Sequence, residues 1–328
     1  MFSSVSAAIQ KDEEQCLTNT VSSRWTRASS PGAEALLGKP IEVPELKDDT
    51  GEPCGFVCLV DYMGNDATIA ETARTSYTKG TRKLSDDAAL VDFLTRHDHT
   101  TPLESCEARF IMKAPLFVVQ QILRQRTANI NQESLRYSEP SEDRWAPEAG
   151  RCLRQSQSNK QGSALQLVDN PSTVLRLAVE ANMESRAFTR ELANTGLARE
   201  VSRLAVNVAT FTILSFKLDA HNLGRFMEKR LDQHAQIETR GVASVMWEIM
   251  KQWLPVTTAA LMNHRINAMK LSADEIQLLV DWNEGRADGR ATNWQLAQMI
   301  RERFKESRQR EVITKFTRLG FVITEQQR

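Results

Sequence analysis

The sequence predicts a fold that mixes strands and helices, and three observations carry that reading. Residues 56–62 (FVCLVDY) form an apolar run of strand length, and residues 106–113 (CEARFIMK) and 210–218 (TFTILSFKL) alternate apolar with polar side chains. Helical patterns, some apolar throughout and some on one face, lie between and after these runs. No glycine-rich strand–turn–helix fingerprint occurs, so the pattern of a dinucleotide-binding Rossmann domain is missing.

At 328 residues the chain has room for one large or two ordinary domains. Apolar residues make up 41% and charged residues 26%, and 42 basic side chains balance 42 acidic ones. This is a soluble globular composition without a global basic field, so non-specific nucleic-acid binding is not expected. No apolar run approaches the roughly 20 residues of a membrane span. The opening MFSSVSAAIQKDEE lacks the basic start and apolar centre of a secretory signal. Of the five cysteines (Cys16, Cys54, Cys58, Cys106 and Cys152), Cys54 and Cys58 could form a zinc half-site, but no Cys-x2-Cys or nearby His pair completes it. Structural thiols in a reduced, cytoplasmic setting follow, with no metal and no membrane. None is framed with a base as a nucleophile would be.

Residues 1–53 are polar, with Ser-Pro-Gly at 30–32 and an acidic run at 45–49. They read as a loose extension, partly disordered or docked on a neighbour. A strand at 56–62 and a short helix at 69–76 follow. Ser85 is the expected N-cap of the next helix, with acids in its first turn and Leu90, Val91, Phe93 and Leu94 behind, ending near His97. Pro115 in a first-turn position opens a buried helix over 115–126, which puts Arg124 and Arg126 in its last turn.

Residues 124–137 (RQRTANINQESLRY) hold three arginines, two asparagines, two glutamines and a serine, with no apolar period in their second half. A core helix cannot look like this, because unpaired polar groups are costly to bury. An open polar loop or the wall of a pocket for an anionic ligand remains. Complementing a negative helix end accounts for Arg124 and Arg126 but not for Asn129, Asn131, Ser134, Arg136 and Tyr137. Guanidinium groups recognise phosphate through paired planar bonds, so a phosphate-bearing ligand is the sharper reading.

Residues 138–172 have little apolar pattern and read as a solvated loop, or a cover over the pocket. A long helix follows over 171–193, ended by Gly196. Arg199 begins another, on which Glu200 and Arg203 could pair at i,i+3. After the 210–218 strand, Asp219 caps a helix on which His221 and Arg225 share a face and Arg230 lies further along. Residues 243–254 are apolar core. Beyond 255, helices at 274–283, 293–305 and 310–319 form a C-terminal extension, basic in places (Lys315, Arg318, Arg328).

The 124–137 stretch resembles the signature of flavin-dependent thymidylate synthases, Arg-His-Arg, seven residues, then Ser. Arg124, Arg126, Asn131, Ser134, Arg136 and Tyr137 match it in spacing. Further blocks match in order: VDYMGND and ARTS at 60–66 and 73–76, HDHTTPLE at 97–104, and Arg230 with AQIETR at 235–240. They span about 56–255, flanked by the extensions at 1–53 and 256–328. The resemblance implies an α+β fold, a central mostly antiparallel sheet packed with helices, in a homotetramer with shared active sites. It implies reductive methylation of dUMP to dTMP with FAD, NADPH and methylenetetrahydrofolate. Arg230 is then the catalytic cation beside the pyrimidine. Gln121, Arg124, Gln132, Ser134, Arg136 and Arg203 bind the nucleotide. His99, Thr101, Glu104, Arg124, Gln125, Arg126, Asn131, Asp219, His221 and Arg225 bind cofactor.

Departures from the family pattern are Gln125 for its central His, Asn129 for a Ser, Gln132 for a Glu, Leu135 for a Gly, Ser105 for a His and Asn207 for a Pro. Two other functions are compatible with them. One is a variant C5-modifying enzyme, such as a hydroxymethylase on dUMP or dCMP. The other is a weakly catalytic regulatory protein that binds nucleotide or flavin.

Overall fold

The computed structural model describes residues 29–76, 86–157, 162–287 and 293–323. The chain divides into two compact units, Met1–Ile266 and Asn267–Arg328.

The first unit is built on strands β1 (Pro40–Glu42), β2 (Phe56–Met63), β3 (Glu107–Pro115), β4 (Asn129–Gln132) and β7 (Phe211–Asp219). They form one antiparallel sheet in the order β1-β2-β3-β7-β4. Register makes the core: Ala108, Phe110 and Met112 lie opposite Leu218, Phe216 and Leu214, and all six side chains are buried. Alternation along β3 and β7 sends the intervening Arg109 and Lys217 to the other face. Helices α7 (Ala220–Arg230) and α8 (Ile237–Trp253) supply the rest of the core, with Phe226 tilted against Phe216 at 5.5 Å between ring centroids. Each such ring contributes about 1.5–3 kcal/mol by leaving water.

Several elements differ from the sequence reading. Residues 29–53 are not loose: the short helix α1 (Pro31–Glu34) and β1 join the core through Ala33, Val43 and Leu46, all buried. Tyr62 donates to Glu34 Oε1 at 2.5 Å, and its Oη accepts from the Ser30 amide at 2.9 Å. A few apolar anchors suffice, and a polar average hides them. Residues 1–28, with Cys16, lie outside the described part, as do Ser85 and Arg328.

Helix α2 (Asp66–Arg74) follows Gly64, whose φ of +79° only glycine adopts cheaply, and Asn65 caps it in a reciprocal box with Thr68. Helix α3 (Asp87–Arg96) is capped by Asp86, which accepts from the Ala88 amide.

The helix expected over 115–126 is α4, Leu116–Ile122, so Arg124 and Arg126 lie in the turn beyond it. The stretch after them is part strand and part turn, with 133–138 in the turn. The strand part is the edge strand β4, whose exposed Asn129 and Asn131 alternate with half-buried Ile130 and Gln132. The expected loop at 138–172 contains a two-stranded ribbon, β5 (Leu153–Gln155) with β6 (Ser163–Leu167). Its exposed strands bury too little for a period to show. Helices α5 (Pro171–Asn194) and α6 (Arg199–Ser202) follow; Glu200 pairs with Arg136, not with Arg203.

After α8 come α9 (Pro255–Leu261) and a single π-helical turn, Met262–Ile266. The second unit packs α10 (Ala273–Ala287), α11 (Asn293–Arg303) and α12 (Glu306–Arg318) around Leu278, Trp282, Leu296, Ile300, Val312 and Phe316. Among the described residues no helix is long and apolar enough to cross a membrane, and no group of three His, Cys, Asp or Glu could hold a metal ion.

Candidate active site

Three groups of the expected residues assemble, each in its own place. The first joins α4 to α7 and α8. Arg230, the last residue of α7, donates through Nη2 to the Gln121 carbonyl oxygen at 2.7 Å. The Gln121 side chain is clamped: its Nε2 donates to Gln236 Oε1, and its Oε1 accepts from Thr239 Oγ1 at 3.0 Å. Burial pulls the Arg230 guanidinium below its ordinary pKa, yet it stays charged at neutral pH because arginine starts so high. The result is a half-buried cation with fixed direction beside an oriented amide.

The second group surrounds Glu200. Arg136 Nη2 donates to Glu200 Oε2 at 3.0 Å, and Arg203 Nε donates to the Glu200 carbonyl oxygen at 3.1 Å. Ser134 accepts from the Arg136 amide at 3.3 Å, a turn that sets the direction of the arginine. A cavity with about 760 Å³ of empty space opens beside this group, lined in part by Arg144, Arg186, Arg190, Arg199 and Arg203. Arg186 and Arg190 are paired with Asp49 and Glu142. Arg144 is 1% exposed, and its Nη1 donates to the Ser141 and Asp143 carbonyls. Burial lowers its pKa. Nothing in the sequence marked Arg144, since an arginine in a polar stretch looks like surface.

The third group lies where α3, the 3₁₀ turn Thr101–Ser105, α7 and α9 meet. His99, His221 and Arg225 line a narrow, shallow recess with Thr100, Glu228 and Arg265, and His99 and Arg225 are exposed at its mouth. The caps explain this convergence. Asp219 accepts from the Asn222 amide at 2.8 Å and starts α7 at the edge of the recess. Asp98 closes α3 in the left-handed region (φ 60°), and the His99 amide then donates to the Leu94 carbonyl at 2.9 Å, as in a Schellman ending. Thr101 and Glu104 are exposed on the neighbouring turn and do not line the recess.

Of the signature residues, Ser134 and Arg136 belong to the second group, and the remainder are not drawn into any of the three. Arg124 and Arg126 are exposed, and Gln125 donates to Thr127 Oγ1 at 2.7 Å. Gln132 reaches Thr212 Oγ1 at 3.5 Å, and Asn131 faces outward on β4. Sequence reasoning missed Gln236 and Thr239 as clamps, although both stand in the AQIETR segment. It also missed Arg265, which follows the last recognisable block.

Among the described residues no thiol is lowered in pKa toward a chemical role. Burial pushes the Cys106 thiol up to about 12 and the Cys54 thiol up to about 11. Cys58 and Cys152 are raised for the same reason.

Comparison with known proteins identifies the family. Residues 58–256 match the family model described as thymidylate synthase complementing protein. The flavin-dependent thymidylate synthase of Ehrlichia ruminantium (strain Gardel) is 38% identical over 253 residues, 75% of this chain and 85% of the relative. That of Thermus thermophilus is 40% identical over 240 residues, 73% of this chain and 85% of the relative. Among solved structures, the UMP/dUMP methylase PolB of Streptomyces cacaoi bound with 5-Br dUMP has a TM-score of 0.60. It is 30% identical, covering 68% of this chain and 98% of that one. A matched region holding Arg124–Gln132, Ser134, Arg203 and Arg230 in one antiparallel α+β unit places the chain in the flavin-dependent thymidylate synthase family.

Proposed function

We propose that this chain converts dUMP to dTMP, with methylenetetrahydrofolate as the one-carbon donor, a flavin as hydride carrier and NADPH as reductant. The observation that carries the reading is the half-buried Arg230 guanidinium, held against Gln121 in a family-matched unit with no thiol of lowered pKa among the described residues. A pyrimidine accepts a one-carbon unit at C5 only when electron density rises there. A fixed cation at the ring oxygens or N3 stabilises the negative charge that accompanies this, at no reorganisation cost. Arg230 fills that role, and Gln121, locked by Gln236 and Thr239, offers a directed amide to the ring edge. Arg124, Ser134, Arg136 and Arg203 hold the 5′-phosphate, Arg136 by exchanging its Glu200 partner for the ligand.

The flavin supplies the hydride chemistry when bound. The recess at His99, His221 and Arg225 suits an anionic portion of it: the donors are imidazoles and a guanidinium, and Gly224 keeps its floor open. A Cβ on Gly224 would stand 3.0 Å from Leu261 Cδ1. Gln125, Arg126, Asn131 and Asp219, together with Thr101 and Glu104 at the exposed rim, complete the cofactor's surroundings in this reading.

A homotetramer with shared sites is part of the same proposal, in a reduced cytoplasmic setting. One feature supports it: α5 exposes Leu177 and Phe188, eleven residues apart and so on one helix face. The test is product analysis with purified protein, dUMP or dCMP, methylenetetrahydrofolate and NADPH. dTMP from dUMP is expected; a hydroxymethyl product, or turnover of dCMP alone, would overturn it.

A further inference from the structure

Arg265 lies beyond the family-matched region, in the π-helical turn Met262–Ile266. Such turns are costly and often mark functional sites. This one is fastened at two adjacent residues. His264 Nε2 is 2.7 Å from Asp92 Oδ1 on α3, and Arg265 Nη2 pairs with Asp98 Oδ1 just past the end of that helix. Asp98 is itself unusual. It is the one described non-glycine residue with positive φ, at a helix-ending position where glycine is cheapest. Its strain is a small cost that places a carboxylate beside Arg265 and His99 beside the recess.

The pairing does not remove Arg265 from the recess. Its side chain is 22% exposed while Asp98 is 70% exposed, so the carboxylate stands on the solvent side of the pair. Within the recess Arg265 joins His99, His221 and Arg225, against the single carboxylate Glu228. Arg225 has no ion-pair partner among the described residues. Two guanidinium and two imidazole groups facing one small volume form a site for a phosphate anion.

We propose that Arg265 is a flavin-binding residue that grips the diphosphate of FAD, presented by the π turn that the His264–Asp92 pair fastens to α3, and that its Asp98 partner is exchanged for the ligand. This rests on the reading of the chain as a flavin enzyme. The π turn thereby extends the cofactor site beyond the region shared with the family model. A guanidinium on a diphosphate makes charge-assisted bonds, and losing them weakens binding on the order of tenfold or more.

The test is flavin titration of the full-length chain, stripped of flavin and followed by fluorescence, for wild type, Arg265→Met, Arg265→Lys and Asp98→Asn. Arg265→Met is expected to raise the FAD dissociation constant about tenfold or more, with Arg265→Lys between it and wild type. Riboflavin, which lacks the diphosphate, should show less than a twofold change, and so should dUMP. Asp98→Asn should leave FAD affinity within about twofold of wild type, since it frees Arg265 without removing it. Equal losses in Arg265→Met and Asp98→Asn would reduce Arg265 to a structural partner of Asp98 and overturn the proposal. An unchanged FAD constant in Arg265→Met, or a loss confined to dUMP, would do the same. A wild-type chain that binds no flavin would instead overturn the functional reading itself.

Discussion

Arg230 and Gln121, 109 residues apart in the chain, meet at 2.7 Å from guanidinium nitrogen to backbone oxygen. The contact fastens the end of α7 to α4 and aims the cation. Replacing Arg230 with Ala should lower turnover by about a hundredfold or more. The visible flavin spectrum of the purified protein should persist. Loss of that spectrum together with activity would assign Arg230 to the cofactor instead.

Thr239 acts one step further out, through its bond to the Gln121 amide. Thr239→Val should raise KM for dUMP about three- to tenfold with kcat nearly unchanged, the scale of one neutral hydrogen bond. Thr239→Ser should restore it. A variant that lost kcat and kept KM would contradict the positioning role.

Arg151 meets Glu238 with Nε at 2.6 Å from Oε1 and Nη2 at 3.3 Å from Oε2, and the glutamate is 1% exposed. Arg151→Met strands a buried carboxylate and should destabilise the fold by about 3–5 kcal/mol. Adding Glu238→Gln should recover part of that, read from chemical-unfolding midpoints. Equal midpoints for the two proteins would show that the pair is not coupled.

Glu275, fully buried in the C-terminal unit, would have its pKa raised by burial alone. The Ser272 amide, Lys315 and Arg308 outweigh burial and hold the carboxyl below its ordinary 4.5. A depressed carboxyl stabilises the folded state fully above the unfolded value and loses that contribution as pH falls through the folded one. Thermal stability should therefore fall on acidification below about 4.5. Glu275→Gln should be less stable at pH 7 and flatter in its acid dependence. Parallel slopes for the two proteins would remove Glu275 from the account.

The exposed face of α5 carries the oligomer proposal. Phe188→Glu should shift the sedimentation profile from tetramer toward smaller species and reduce activity with it. An unchanged sedimentation coefficient would leave that face without the role assigned to it.

The core was legible in the sequence because β3 and β7 alternate with large apolar side chains, Phe110, Met112, Leu214 and Phe216, and a period of two admits one burial pattern. The caps at Asn65 and Asp86 were misread or missed because neighbouring Ser and Asp residues compete for the same task. β4 was illegible as a strand: its asparagines lie on an exposed edge, where no apolar face is needed. The arginine signature could be read as chemistry, but its partners could not. The clamps on Gln121 come from residues 115 and 118 positions away, and no local pattern reports such a meeting.

Hanging Asn131 and Gln132, proposed here as ligand-binding residues, from the margin of a sheet has an evolutionary side. β4 is bonded to β7 alone, and its outward side chains touch none of the packed rings. Substitutions such as that at Asn129 can therefore accumulate there with little effect on folding. A lineage can retune which pyrimidine it accepts while inheriting the scaffold unaltered.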